Sequence, residues 1–447
     1  VRRRVDEIAA GGIRYVRKPA SDAPGWTARP LRTEEESVAV SPESIQPTEP
    51  TTPARDASDA SDAAPISAPG DDAPADASMP SAHGDVAADQ PAHTAPGVTT
   101  VAVAPPQPSS ATSSSATAKP RARGAWATSV VITLVLITTV VTFGYSGLCA
   151  YVATRLVYIP QTPVTQTPTA YGLAYRDVTF PSRIDHVMLK GWFIPGVLPH
   201  GRLTAQRTLI LLHGTRTNRI DVGVGLLALS AAFARRGFAV LAFDMRGMGE
   251  SPPAPFSLGY FEQRDALGAV DFLRSGPLPF PALGRPHAIG GWGVSLGAAT
   301  LLLAAAQEPA IRAVVSDSAY ADIIPILERV IPQMTGLPSA FTPGVLTAAR
   351  VMYGVNYYAV RPVDVVARLA PRPVLFIHGA ADTYIPPSNM TTLADAARQG
   401  REARVQTWLV PGAQHAKAYK VAGQAYVDRV VAFFDTALGP DTSGGVA

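Results

Sequence analysis

Cysteine is nearly missing from this chain of 447 residues: there is one, Cys149. That excludes an internal disulfide, and with no H-x-x-H pair or Cys/His cluster among eight histidines, no metal or cofactor is expected. Charge is also scarce, at 16% of residues, and from Gly124 to Thr154 it is absent. The net charge of +3 averages a basic start, an acidic middle of the tail and a near-neutral remainder, so no nucleic-acid partner is expected. The glycine-rich stretch Phe243 to Ser251 lacks both a lysine and G-x-G-x-x-G spacing, which argues against a phosphate loop. Asp244 and Arg246 there read as residues that pin a loop.

The uncharged stretch is itself a positive signal. About 20 apolar residues cross a bilayer, and the Val-, Ile- and Leu-rich run predicts one transmembrane helix over 125–151. Trp126 at one end and Tyr145 and Tyr151 towards the other suit the two interfaces. Lys119, Arg121 and Arg123 precede the run while Arg155 stands alone beyond it, which predicts a cytoplasmic N-terminus and an extracytoplasmic C-terminal domain at the cell membrane. The run exceeds the apolar core of a cleaved signal peptide. Leu148 before Cys149 argues against a lipoprotein anchor.

Residues 1–120 are rich in Pro, Ala, Ser, Thr and Asp and carry no apolar periodicity, so they are expected to be a disordered cytoplasmic tail. Residues 439–447 are expected to be flexible. Between them, 161–438 is long enough for one domain with a full core. An opening hairpin (Leu173 to Phe180, His186 to Ile194) precedes short apolar strands at Thr208 to Leu212, Ala239 to Phe243, Ala288 to Trp292, Ile311 to Ser316, Pro373 to Ile377 and Arg404 to Val410. Helical patterns alternate with them, near Ile220 to Arg236, Tyr260 to Ser275, Ser295 to Ala306, Asn389 to Arg398 and Ala418 to Leu438. This rhythm predicts an α/β fold: a mostly parallel eight-stranded sheet with helices on both faces. Residues 322–371 interrupt it and read as a small helical lid. Its Met334, Leu337, Phe341, Met352, Tyr357 and Tyr358 could line an acyl pocket or form the lid's own core.

Gly293-Val-Ser-Leu-Gly297 sits between an apolar strand and an Ala/Leu-rich helix. A serine on such a strand-to-helix turn is a nucleophile elbow, and Gly293 and Gly297 are needed because side chains there would strike the neighbouring strand and helix. Ser295 is therefore the candidate nucleophile. A hydroxyl needs a histidine base, and the imidazole needs an acid to fix its tautomer. His378 and His415 alone follow the serine. His415, in a loop after a strand, is the candidate base, and Asp382, beyond the preceding strand, the orienting carboxylate. Asp317 is a rival acid. The backbone N–H of Leu296, with that of Thr215 or Arg216, would form the oxyanion hole. Gly214 would let that loop turn, and His213 would support it.

The motifs Leu212-His-Gly-Thr215, Phe243-Asp-Met-Arg-Gly-Met-Gly-Glu-Ser251, the elbow, Phe376-Ile-His-Gly-Ala-Ala-Asp382 and Pro411-Gly-Ala-Gln-His415 together resemble the α/β-hydrolase superfamily. Val178 to Ser182 followed by Leu189 to Pro195 resembles membrane-anchored bacterial hydrolases of the Bem46-like, serine-aminopeptidase-like kind, although Asp185-His186 stands where such proteins often have Asp-Gly. The resemblance implies a serine hydrolase, with carboxylic esters, including thioesters and lipid esters, as the expected substrates. A serine aminopeptidase-like peptidase and an idle hydrolase-fold scaffold are the alternatives. The expected partners are an ester substrate and the membrane.

Overall fold

The computed structural model describes residues 123–441. The tail expected over 1–120 and the last six residues lie outside the described residues. Eight strands form one sheet: β1 (Arg176–Pro181), β2 (Met188–Ile194), β3 (Arg207–Leu212), β4 (Ala239–Phe243), β5 (Ala288–Val294), β6 (Ile311–Asp317), β7 (Val374–Gly379) and β8 (Val405–Val410). Their spatial order is β1-β2-β4-β3-β5-β6-β7-β8. β2 pairs antiparallel with both neighbours, and every other pairing is parallel. The hairpin is shorter than the sequence suggests, because Leu173 follows a 3-10 turn at Pro168–Tyr171 and docks as a buried residue before β1 begins.

Side-chain alternation along the strands sorts the core into two layers. Ile210 and Leu212 of β3, with Leu241 and Phe243 of β4, join one cluster; Leu209 and Leu211, with Val240 and Ala242, join the other. Both faces are therefore covered, which is why these strands read as unbroken apolar runs. Helices α1 (Arg123–Val157), α3 (Glu262–Ser275), α4 (Leu296–Ala305) and α7 (Ser388–Arg398) contribute to the first layer. Helices α2 (Leu226–Arg235), α8 (Ala418–Ala422) and α9 (Gln424–Leu438) contribute to the second. The predicted helix from Ile220 starts only at Leu226, because Asp221 diverts the chain into a turn by accepting the Val224 N–H at 3.1 Å. The predicted helix Ala418 to Leu438 is broken at Gly423, where φ is 52°.

Helix α1 extends beyond the 125–151 span expected for it. From Trp126 to Gly147 every residue is exposed, after which Cys149, Val152, Ala153, Leu156 and Val157 are buried. The buried positions recur at helical spacing and face α6 (Thr342–Tyr353). A Cβ at Gly344 of α6 would stand 2.7 Å from Cys149 Sγ, so the missing side chain sets how closely the two helices approach. Thr154 Oγ1 and Tyr353 Oη share a hydrogen bond of 2.7 Å, and the Phe256 N–H donates to the Val157 carbonyl at 2.9 Å. The helix is long and apolar enough to cross a membrane, and its last turns belong to the folded domain. The linker after it is held too: Asn218 Nδ2 donates to the Thr162 and Pro163 carbonyls at 3.1 and 2.9 Å.

The interruption between β6 and β7 contains α5 (Ile324–Thr335), α6 and short 3-10 turns. Its six apolar candidates divide. Tyr357 is core, the Phe341 ring packs tilted against Tyr145 with centroids 4.8 Å apart, Met352 and Tyr358 face outward, and Met334 and Leu337 line cavities. Residues 439–441 are held near the start of β3: Arg207 Nη1 donates to the Gly439 carbonyl at 3.2 Å, and Thr204 Oγ1 to Asp441 Oδ2 at 2.6 Å.

Candidate active site

β5 delivers Ser295 at its carboxyl end with φ 52° and ψ −116°, and α4 begins at the next residue. A non-glycine residue holds that strained backbone only where its surroundings enforce it. Here the Ser295 N–H donates to the Asp317 carbonyl at 2.8 Å, and α4 folds back onto β3 and β5. A Cβ at Gly293 would lie 2.5 Å from the Gly297 carbonyl carbon, and one at Gly297 would lie 2.3 Å from the Leu212 oxygen. Both glycines are needed for the turn to close.

The loops after β7 and β8 bring the partners. His415 Nε2 is 2.9 Å from Ser295 Oγ, and His415 Nδ1 is 2.7 Å from Asp382 Oδ2. A carboxylate accepts only, so Nδ1 carries the proton and Nε2 is free to accept from the serine hydroxyl. Burial works against charge on Asp382, but bonds from His378 and His415 and from the Ile385 N–H hold its carboxyl well below the usual range. The rival acid is engaged elsewhere. Asp317 Oδ2 accepts from Tyr426 Oη at 2.8 Å, and Oδ1 accepts from Ser318 Oγ at 2.8 Å. Burial pushes the Asp317 carboxyl up.

Ser295 and His415 line a cavity of about 390 Å³ between the carboxyl ends of the strands and α5. Thr215 and Arg216 are on its wall beside Ser295. The Leu296 N–H is at the first helical position of α4, where intrahelical acceptors are lacking and the helix dipole favours negative charge. The left-handed residue of this loop is Arg216, with φ 57°. Gly214 instead admits the Asp221 carboxylate, which accepts its N–H at 3.3 Å and the Thr217 hydroxyl at 3.0 Å.

The strand order and the matches to known proteins agree. Residues 228–441 match the model of the prolyl oligopeptidase family. A curated protein of Escherichia coli (strain K12), "Uncharacterized protein YfhR", is 28% identical over 259 residues, 57% of this chain and 79% of the relative. "Uncharacterized protein YqkD" of Bacillus subtilis (strain 168) is 28% identical over 250 residues, 55% of this chain and 76% of the relative. Among solved structures, a Pyrococcus furiosus esterase superposes with TM-score 0.52 at 22% identity, covering 64% of this chain and 99% of the esterase. This chain has the α/β-hydrolase fold. The matches support a serine hydrolase of that fold.

Around the hydrolase's central groups, buried polar contacts fix each loop. His213 is fully buried; its Nε2 accepts the Met245 N–H at 3.1 Å, so Nδ1 is the donor to the Gly214 carbonyl at 2.8 Å. Burial pushes this imidazole's pKa down, which keeps it neutral in that supporting role. Asp244 accepts N–H groups from Arg219 at 2.7 Å and Glu250 at 2.8 Å, and Arg246 pairs with buried Asp265 at 2.6 Å. Both therefore pin loops, as their sequence context suggests. Asp185 joins them, accepting from Arg246 Nη1 at 2.7 Å and Arg264 Nη1 at 2.9 Å. His186 beside it has φ 52°, a conformation glycine adopts without cost.

Two contributors to the hydrolase site were not foreseen. His378 Nε2 reaches the same Asp382 oxygen as His415, at 3.2 Å. Its four-residue separation from Asp382 across the strand-end turn was the available signal. Leu156 of α1 forms part of the cavity wall beside α5, and no sequence pattern relates it to Ser295.

Proposed function

We propose that this protein is a membrane-tethered serine hydrolase that cleaves carboxylic esters through an acyl-enzyme. The observation that carries this is the continuous bond from Ser295 Oγ to His415 Nε2 to Asp382 at 2.9 and 2.7 Å, set on the strained elbow. Ser295 Oγ attacks the carbonyl carbon while its proton passes to His415 Nε2. Asp382 stabilises the imidazolium that forms. The oxyanion meets the Leu296 N–H and that of Thr215 or Arg216. His415 returns the proton to the leaving alcohol, then takes one from water, which attacks the acyl-serine and releases the acid. In the test, full-length protein in detergent turns over p-nitrophenyl esters and the Ser295→Ala variant does not. Equal turnover by both would overturn the assignment.

The family-model match favours a second reading, a peptidase. The cavity argues for the ester. Among the described residues lining it, Asp221 is the one carboxylate, and it is occupied by the oxyanion-side loop. Arg216 and Lys417 are also on the wall, a poor environment for a substrate ammonium. Aminoacyl p-nitroanilides turned over faster than esters would reverse the order. The tether follows from α1, with the basic flank before Trp126 setting a cytoplasmic N-terminus. Protease added to intact cells should then degrade the hydrolase domain, and its protection would refute that orientation.

A further inference from the structure

A second cavity, about 440 Å³, runs between the last turns of α1 and the end of α5. Its walls are largely apolar: Leu148, Tyr151 and Val152 from α1 face Ile331 and Leu337. Three residues, Leu156, Arg216 and Met334, line both this groove and the catalytic cavity, so the two adjoin. The groove's height relative to a bilayer follows from α1. The exposed stretch from Trp126 to Gly147 rises roughly 33 Å at 1.5 Å per residue, close to the thickness of a hydrocarbon core. Leu148 to Val152 then fall at the level of the head groups, where Tyr151 suits the interface, and Arg155 stands just beyond. Arg155 and Arg216 border the groove, both exposed, and neither is in an ion pair among the described residues.

We propose that this groove is the acyl-chain site for an anionic membrane lipid that reaches Ser295 sideways from the bilayer surface. The tail lies along α1 between Leu148 and Leu337. The ester carbonyl passes Leu156 and Met334 to the serine, and the charged head group is held near Arg155 and Arg216. The helix that tethers the protein is then also one wall of its substrate site. The chain would leave the hydrocarbon phase for an apolar wall without crossing water, at little cost in hydrophobic free energy. This inference rests on the ester-hydrolase reading above and names its substrate class.

The test uses the full chain in vesicles and a long-chain alkyl fluorophosphonate carrying a diazirine at its tail end. The probe attaches to Ser295 with loss of fluoride, and light then cross-links its tail. Cross-links on peptides containing Leu148, Tyr151 or Leu337 are expected. No labelling of Ser295 at all would sink the hydrolase reading itself. Labelling of Ser295 with tails cross-linked only to Ile326 or Leu327 would leave that reading intact and overturn the groove. Independently, Leu337→Trp should lower the ratio of palmitoyl to acetyl ester turnover at least tenfold, and an unchanged ratio would count against the groove. Fatty acid should be released faster from phosphatidylglycerol than from phosphatidylcholine vesicles; equal rates would remove the head-group assignment.

Discussion

His378 Nε2 lies 3.2 Å from Asp382 Oδ2, the carboxylate oxygen that also accepts from His415. The same Nε2 is 2.8 Å from the Ile385 carbonyl, so it must carry a proton and donate to both oxygens. The other carboxylate oxygen, Oδ1, accepts the N–H groups of Tyr384 and Ile385 at 3.0 and 2.8 Å. Asp382 is thus fixed from two sides before His415 reaches it, and the orientation of that imidazole derives from contacts other than its own.

Removing the His378 donor should loosen Asp382 without touching substrate. His378→Leu is expected to lower kcat by about 10–100-fold with KM nearly unchanged, the scale of a small misplacement of a catalytic group. Asp382→Asn should cost more, about 10⁴-fold, because the tautomer of His415 is then wrong. Steady-state kinetics on one ester, with thermal melts to confirm folding, separate the two. A His378→Leu variant with wild-type kcat would remove the positioning role.

Gly297→Ala tests the elbow. The added methyl would sit 2.3 Å from the Leu212 carbonyl oxygen, a backbone atom that cannot swing aside. Overpacking of this kind costs about 1–3 kcal/mol, and more where backbone must move. Urea unfolding should show the loss, and fluorophosphonate labelling of Ser295 should fall with it.

Asp185 predicts an acid sensitivity. Burial opposes its charge, but bonds from Arg246, Ser182 and Arg264 outweigh that and hold its carboxyl well below the usual range. A depressed carboxylate contributes stability that is fully present above its unfolded pKa of about 4 and is lost as pH falls towards the folded value. The gap in melting temperature between wild type and Asp185→Asn should stay constant from neutral pH to about pH 5 and shrink below about pH 4. A gap that widens in acid would contradict the pairing.

Arg246→Met should be among the most damaging changes away from the cavity. It leaves Asp265, with 0% exposure and a carboxyl that burial already pushes up to about 6, without its guanidinium, so that it must take up a proton in the core. Breaking a buried pair from one side costs about 3–5 kcal/mol. Converting the partner as well, with Asp265→Leu, should recover much of the loss in chemical denaturation, because the buried carboxyl is gone and Asp185 keeps Arg264.

Local chemistry was legible from the chain alone. The Gly-x-Ser-x-Gly spacing, the apolar strands and the order serine, acid, histidine depend on backbone sterics and side-chain periodicity, which are written within a few residues. Helix ends were less legible: Asp221 and Gly423 reset the starts of α2 and α9 through contacts and a positive φ. Asp382 was favoured over Asp317 by its place in the chain, and the tertiary structure seats it on His415. That His378 shares its carboxylate and that Leu156 of α1 walls the catalytic cavity were legible in no local pattern and were decided by packing. Periodicity records which face of an element is apolar. Only the closed core, with α6 packed against α1, determines what that face touches.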